Sequence, residues 1–236
     1  MAERQLPKLN VAGSIPVSRS TFNPSGPHFR SMRYTSGMRR LALTAVLVAS
    51  LPLAAQTTAA PEPGGPTAIF HTSMGTLTCR LFARESPIAV KTFLGLTDGS
   101  KVWTDPRNGK VQHGKRFYDG IEIDRVVPDF VIQTGDITND PSGAVDIGFR
   151  FPNETYPGLR YDRPGRLAFG NAGKDTNNSE LFFTEHPVPR LDGGFTIIGQ
   201  CDDASVTLIA KIARVPRGAK DRPITPVIIE RVEIKP

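Results

Sequence analysis

After residue 66 the sequence is a succession of short apolar segments separated by stretches rich in Gly, Pro, Asn and Asp. In one of them Leu77, Cys79 and Leu81 alternate with polar residues, which is the two-residue period of a strand with one buried face. The same pattern, bounded by turn residues, predicts β-strands at 67–72, 76–82, 121–127, 130–133, 167–169, 181–184, 195–200 and 226–234. A chain with many short strands and frequent turns is expected to form a closed barrel or a sandwich.

Two segments depart from the strand pattern and predict helices. The first begins at Ser86-Pro87, where the serine is suited to the N-cap and the proline to the first helical position. The second covers roughly 203–213 and is capped by Asp202 or Asp203. The polar stretch 98–120 is predicted to be one long loop, and loops of that length are usually functional or specific to a family.

The positive charge of the chain is concentrated near its beginning. The formal net charge is +6, and residues 1–56 hold seven Lys or Arg but a single acid. The remaining 180 residues therefore carry equal numbers of basic and acidic side chains, 22 of each. Since a body without net charge has no field that attracts a polyanion, this distribution argues against nucleic-acid binding.

The basic segment leads into an apolar run. Met38-Arg39-Arg40 is followed by about fifteen mostly apolar residues at 41–55, a pattern typical of a secretory signal peptide. A short membrane anchor is the alternative, but the run is shorter than the ~20 residues that span a bilayer, and Pro52 interrupts it. We therefore predict a periplasmic or secreted protein that is not stably inserted in the membrane once the signal has been removed.

These features divide the chain into four parts. Residues 1–37 are either a disordered extension or the product of a start codon assigned too far upstream. Residues 38–60 contain the signal peptide and its processing region, with cleavage expected within 54–60. Residues 61–66 form a linker, and 67–236 form one folded domain.

The two cysteines allow two interpretations. An exported protein could join Cys79 to Cys201 by a disulfide. Both residues also lie in apolar, strand-like surroundings, where buried free thiols are common. The sequence leaves this choice open.

No familiar reaction centre is present in the sequence. It contains no HExxH or CxxC pattern, no GxSxG elbow and no Gly-rich phosphate loop. The histidines His28, His71, His113 and His186 are not spaced as metal ligands. We therefore predict neither a metal nor another cofactor.

Three blocks of the domain are nevertheless unusual. The first is IDRVVPDFVIQTGD at 123–136, in which Arg125 lies inside an apolar strand. The second joins LAFGNAG at 167–173 to TNNSELFFT at 176–184, and the third is RLDGGFTIIGQ at 190–200. Taken alone, Arg125 could be an exposed strand residue, and the apolar residues of these blocks could be ordinary core.

Together the three blocks resemble the signature segments of cyclophilins: F-H-R-[IV]-[IV]-P-x-F-x-x-Q-G-G-D, M-A-N-A-G-x-x-T-N-G-S-Q-F-F and W-L-D-G-x-H-x-x-F-G. Their order and spacing agree, and the resemblance extends from about Ala68 to the C-terminus. It implies a mainly β fold, a closed eight-stranded antiparallel β-barrel capped by two α-helices, with an active groove on the outer surface. It also implies peptidyl-prolyl cis-trans isomerase activity on proline-containing polypeptides.

The resemblance assigns roles position by position. Arg125 matches the catalytic arginine, and Gln133 matches the glutamine that orients both this arginine and the substrate backbone. The positions that line the proline pocket or bind the substrate backbone are matched by Phe130, Val131, Gly170, Asn171, Phe182 and Leu191.

The chemistry of such a site suits an arginine. The barrier to rotation about a peptide bond is ~18–20 kcal/mol because amide resonance must be lost. A guanidinium can hydrogen-bond the prolyl nitrogen as it becomes pyramidal, and its permanent charge requires no proton transfer. Since no covalent bond breaks, a few hydrogen bonds that favour the twisted amide over the planar one are sufficient.

Four positions depart from the family pattern. Asp124 replaces a histidine, and Glu180 replaces a glutamine and could pair with Arg125 or lie near Asn171. Arg190 replaces the tryptophan of cyclosporin-sensitive members, so we predict weak cyclosporin binding. Phe195 replaces a histidine of the groove. Glu180, Arg190 and Phe195 remain candidate substrate-binding positions.

Three functions are compatible with the sequence. The first is an isomerase, expected to be monomeric, that assists the folding of exported proteins. The second is a proline-peptide-binding chaperone whose catalysis has been weakened by the four departures. The third is an unrelated small-ligand β-barrel, which would not need the combination of Arg125, Gln133, Asn171 and Phe182.

Overall fold

The computed structural model describes residues 60–138 and 145–236. The extension and the signal peptide predicted before residue 60 lie outside the described residues. Residues 61–66, predicted as a linker, contain no regular secondary structure. Within the described ranges no helix combines the length and apolar character needed to cross a membrane.

The described residues form mainly β structure with two α-helices. The helices are α1 (Pro87–Asp98) and α2 (Asp203–Ala213). The strands are β1 (Thr67–Thr72), β2 (Gly75–Leu81), β3 (Trp103–Asp105), β4 (Lys110–Gln112), β5 (Ile121–Glu122), β6 (Arg125–Val127), β7 (Val131–Thr134), β8 (Arg166–Phe169), β9 (Leu181–Thr184), β10 (Ile197–Cys201) and β11 (Ile228–Lys235).

Nine of these strands form one antiparallel sheet in the order β5-β11-β1-β2-β10-β8-β9-β7-β6. The sheet curls into a half-barrel, which confirms the mainly β architecture with two helices. The ladders alone do not show the predicted closed barrel of eight strands: the edge strands β5 and β6 are consecutive parts of the segment 121–127 and are not paired with each other. The segment predicted as a single strand at 121–127 is divided instead: Ile123 N donates to Val227 O, whereas Asp124 N donates to Gln133 O.

The concave side of the sheet is filled with side chains. Phe70 on β1 lies at the centre, with its ring 5.2 Å from that of Phe183 on β9 and 5.7 Å from that of Phe93 on α1. All three rings are buried. Burying aromatic side chains contributes much of the energy of such a core, and here it also fixes α1 against the sheet.

The N-terminus of α1 is capped differently from the prediction. Ser86 occupies the N-cap position, but its hydroxyl donates to Ile197 O at 2.7 Å and makes no capping bond. The carboxylate of Glu154 accepts instead from Ile88 N at 3.1 Å and Ala89 N at 2.8 Å. A carboxylate from a distant loop thereby satisfies amide groups that a helix leaves unpaired at its first turn.

The second helix begins as predicted. Asp202 is the N-cap residue of α2, and its side chain accepts from Ser205 N.

The stretch 98–120, predicted as a loop without strands, contains the hairpin β3–β4. Trp103 on β3 is buried, with its ring 4.9 Å from that of Phe117. Its indole nitrogen donates to Lys115 O at 3.1 Å. Trp103 belongs to the main core cluster, so an aromatic side chain attaches the hairpin to the body of the domain.

A disulfide joins Cys79 on β2 to Cys201 on β10, 122 positions later in the chain. The two residues are directly opposite in the β2–β10 ladder. The choice that the sequence left open is thereby decided in favour of the disulfide.

Candidate active site

A second apolar cluster lies apart from the main core and brings together most of the predicted pocket residues. Val131, Phe182 and Leu191 are buried within it, and Phe130 and Phe195 pack against it partly exposed. The ring of Phe195 meets that of Phe182 edge-on, with centroids 5.5 Å apart. The five residues come from three separate sequence blocks and form one apolar cluster on the sheet, which we call the aromatic pocket because the family resemblance assigns the substrate proline to it.

Tyr161 belongs to the same cluster and was not anticipated from the sequence. Its ring stacks on that of Phe182 at 5.9 Å and is buried. Its backbone nitrogen donates to the Asp192 carboxylate at 2.8 Å, and its carbonyl accepts from Val188 N at 2.8 Å. The stretch around Tyr161 is rich in Gly, Pro and Arg and has no periodic pattern, so no local signal identifies this residue.

Arg125 and Gln133 lie directly opposite each other in the β6–β7 ladder. Arg125 Nη1 donates a short hydrogen bond to Gln133 Oε1. Gln133 is also opposite Phe182 in the β7–β9 ladder, so the arginine, the glutamine and the wall of the pocket lie on three neighbouring strands. The β register thus places a fixed guanidinium beside an apolar pocket.

Gly170 and Asn171, at the end of β8, form the polar side of the site. Gly170 N donates to Glu180 O at 2.8 Å, and a side chain at Gly170 would bring its Cβ to 3.2 Å from that of Glu180. Asn171 Nδ2 donates to Gly194 O at 3.0 Å, and Asn171 Oδ1 accepts from Gly173 N at 3.2 Å. These bonds hold the loop after β8 next to the third sequence block.

Comparison with known proteins identifies the family. Residues 67–234 match the family described as cyclophilin type peptidyl-prolyl cis-trans isomerase/CLD. The chain belongs to the cyclophilin family. The match covers nearly the whole described domain, including all eleven residues predicted for the site.

Individual relatives agree with this assignment. The peptidyl-prolyl cis-trans isomerase A of Mycobacterium tuberculosis is 37% identical over 169 residues, which are 71% of this chain and 91% of that protein. The isomerase B of Streptomyces anulatus is 34% identical over 170 residues, or 71% of this chain and 95% of that protein.

Solved structures also match. A cyclophilin-type isomerase of Cryptosporidium parvum has a TM-score of 0.60 and 28% identity, covering 72% of this chain and 98% of that one. A second structure of the same protein, determined in the presence of the dipeptide Ala-Pro, has a TM-score of 0.59 and 27% identity, covering 72% and 99%.

Two of the departures from the cyclophilin pattern, Asp124 and Glu180, are partly buried carboxyl groups. Burial, together with the negative charges of Asp124 and Asp136, raises the pKa of Glu180 to about 8. Burial likewise raises the pKa of Asp124 to about 7, with Asp136 as the second cause. Within the described residues no ion pair joins Glu180 to Arg125; Glu180 instead lines a cavity together with Asn171.

Glu180 and Asn171 line a small cavity of about 50 Å³. Its other lining residues are Val145, Arg150, Ala172, Thr176 and Asn178. A larger concavity of about 530 Å³ lies on the α2 side of the domain, between Pro164, His186 and the helix, and contains none of the predicted site residues. The aromatic pocket and the small cavity therefore define the site, and the larger surface is separate from it.

Arg190, at the position of the cyclophilin tryptophan, keeps a stacking role. It lies in a short 3-10 helix, and its guanidinium carbon is 4.4 Å from the centroid of the Phe130 ring. A guanidinium over an aromatic face at this distance forms a cation–π contact. The rim of the pocket thus carries a positive charge where an indole would supply a neutral surface.

Among the described residues, one group of side chains has the spacing of metal ligands. Asp129, Glu185 and His186 offer ligand atoms within 4.8 Å of one another. Arg214 already occupies this position, since its guanidinium pairs with both Asp129, at 2.9 Å, and Glu185. The three side chains and Arg214 form an ion-pair network.

Proposed function

We propose that this chain accelerates cis-trans isomerisation of X-Pro bonds in polypeptides, with Arg125 as the catalytic residue. The observation that carries the proposal is the position of the Arg125 guanidinium, which Gln133 holds beside the aromatic pocket. The family assignment and the isomerase names of the relatives support the same activity.

The mechanism follows from this geometry. The proline ring of the substrate enters the pocket formed by Phe130, Val131, Phe182, Leu191 and Phe195, while the carbonyl before the proline remains free to rotate. An N–H of Arg125 donates to the prolyl nitrogen, whose lone pair becomes available only when the amide is twisted. Because this bond is stronger in the transition state than in the ground state, it lowers the barrier.

The polar side of the site would hold the substrate backbone. We assign this role to Gly170, Asn171 and Gln133, with Glu180 and Arg190 in contact with residues that flank the proline. The arginine at position 190 provides no indole for cyclosporin, so we propose that cyclosporin binds weakly.

The setting of the activity is proposed from the sequence and from the disulfide. A bond between Cys79 and Cys201 is typical of an oxidising compartment, and the apolar run at 41–55 is typical of a signal peptide. We propose that the protein acts as a monomer on exported polypeptides during their folding, when X-Pro exchange takes tens to hundreds of seconds without a catalyst.

A second candidate is a proline-peptide binder with little catalysis. The acidic group near Arg125 and the loss of the groove histidine at Phe195 would favour it.

The two candidates differ in the result of one experiment. Purified full-length protein at one-hundredth of the concentration of an Ala-Pro peptide would be studied by two-dimensional exchange NMR. Exchange peaks between the cis and trans forms are expected. Peptide shift changes on titration without such peaks would replace the isomerase by the binder.

A further inference from the structure

We infer that Asp221 is a positioning residue for the catalytic arginine. Asp221 lies in the loop 216–224 that precedes β11, far in sequence from Arg125. The inference rests on the proposed function and extends it to a residue that no sequence block contains.

The two carboxylate oxygens of Asp221 face different arginines. Oδ2 is 3.7 Å from Arg125 Nε, and Oδ1 is 3.3 Å from Arg217 Nε. Arg125 is therefore contacted at two edges of its guanidinium, by an ion pair with Asp221 at Nε and by a hydrogen bond to Gln133 at Nη1. Because the guanidinium is rigid and planar, partners at two different nitrogens restrict its rotation, and the described residues leave the N–H groups of Nη2 for a substrate.

The backbone of the loop is arranged to present this carboxylate. Lys220 and Asp221 have φ angles of 59° and 62°, in the left-handed region that residues other than glycine seldom adopt. Hydrogen bonds from Gly218 N to Arg222 O and from Ile224 N to Pro216 O, both 2.8 Å, close the loop on itself. Unfavourable backbone angles persist where surrounding contacts enforce them, and they are concentrated at functional sites.

A further ion pair fixes the loop to the sheet. Arg222 Nη2 is 2.5 Å from the Glu122 carboxylate on β5, three residues before Arg125. The loop is therefore attached to the chain segment that leads to the arginine.

If the Asp221 pair only stabilised the fold, removing it would lower the free energy of unfolding and leave the rate of isomerisation unchanged. The side chains of Arg125 and Asp221 are 32% and 39% exposed, and ion pairs at that exposure contribute little to folding stability. Removing the carboxylate should therefore leave the fold intact. Its effect should appear in the chemical step, because small displacements of a catalytic group are costly to rate.

The test compares Asp221→Asn with Glu230→Gln, which removes an exposed carboxylate on β11, in the full chain. Asparagine tolerates the left-handed region, so the first variant keeps the loop conformation and removes only the charge. Exchange NMR with the Ala-Pro peptide would give kcat and KM, and the ¹⁵N shift of Arg125 Nε would report its pairing. We expect Asp221→Asn to lower kcat by about fivefold to tenfold with KM within about twofold of wild type, and to move the Nε signal.

The outcomes separate the inference from the proposed function. If Asp221→Asn matches Glu230→Gln in kcat, or if only its KM changes while the wild type remains active, the positioning role is overturned and the isomerase stands. If the wild type itself produces no exchange, the proposed function fails and this inference fails with it.

Discussion

Replacing Glu180 by glutamine, the residue that the cyclophilin pattern has at this position, should stabilise the fold at neutral and alkaline pH. The pKa of Glu180 is raised from 4.5 to about 8 in the folded protein, with burial as the main cause. The folded state therefore holds this proton more tightly than the unfolded state. By linkage, the free energy of unfolding falls as the pH rises from about 4.5 to about 8 and is then constant with respect to this group.

The size of the effect follows from the same shift. Each pKa unit corresponds to about 1.4 kcal/mol, so the difference between 4.5 and 8 sets a ceiling of about 5 kcal/mol. Part of that shift comes from repulsion by Asp124 and Asp136. These carboxyl groups remain in the variant, and they ionise more easily once residue 180 is neutral. We therefore expect Glu180→Gln to raise the free energy of unfolding by about 1–3 kcal/mol at pH 8 and by less than about 0.5 kcal/mol at pH 4.5.

The assay is urea unfolding of the disulfide-bonded protein, followed by fluorescence of Trp103 and by circular dichroism, at several pH values between 4.5 and 8.5. The matched control is Glu230→Gln, which removes an exposed carboxylate on β11. The control should shift the unfolding midpoint little at any pH. A Glu180→Gln variant that is less stable than wild type at pH 8, or whose gain is the same at both ends of the range, would refute the argument.

Two further predictions concern the pocket rim and the disulfide. Arg190→Trp should place an indole over Phe130 and tighten cyclosporin binding by at least about tenfold, or ~1.4 kcal/mol, in a calorimetric titration; tight binding by the wild type would contradict this account. Removing the disulfide in a Cys79→Ala/Cys201→Ala variant should lower the free energy of unfolding by about 2–4 kcal/mol in urea, because the bond closes a long loop of chain. An unchanged midpoint in the double variant would show that the pairing adds nothing to stability.

Much of the fold could be predicted because its signals are local. The alternation of Leu77, Cys79 and Leu81 places three side chains on one face of β2, and the structure buries all three. The cap of α2 at Asp202 is equally local, since donor and acceptor are three residues apart. Patterns of this kind depend on the geometry of one strand or one helical turn, which short segments of sequence contain.

The errors arose where a distant part of the chain decides the structure. The segment 121–127 has the pattern of one strand, yet its hydrogen-bond partner changes from β11 to β7 between Ile123 and Asp124. The cap of α1 comes from Glu154, which accepts a hydrogen bond from the amide group of Ala89, 65 positions earlier in the chain. No local pattern shows which remote carboxylate or strand will be adjacent after folding.

The candidate site shows the same division. Arg125, Gln133 and Phe182 lie in blocks that resemble the family signatures, and the structure brings them together on neighbouring strands. Tyr161 and Asp221, which contact Phe182 and Arg125 respectively, lie in stretches without a signature. Their contacts depend on the loops that connect the strands.

The central claim is that Arg125 accelerates X-Pro isomerisation, and the most direct test is the rate with a chromogenic X-Pro peptide enriched in the cis form. Wild type, Arg125→Ala and Arg125→Lys would be compared with Arg231→Ala, which removes an exposed arginine on β11. We expect kcat/KM to fall by about 10²–10³ in Arg125→Ala, as for loss of one preorganised hydrogen-bond donor. Arg125→Lys should recover little of it, because a lysine lacks the planar fork, and Arg231→Ala should match wild type. Equal acceleration by Arg125→Ala and wild type would contradict the account.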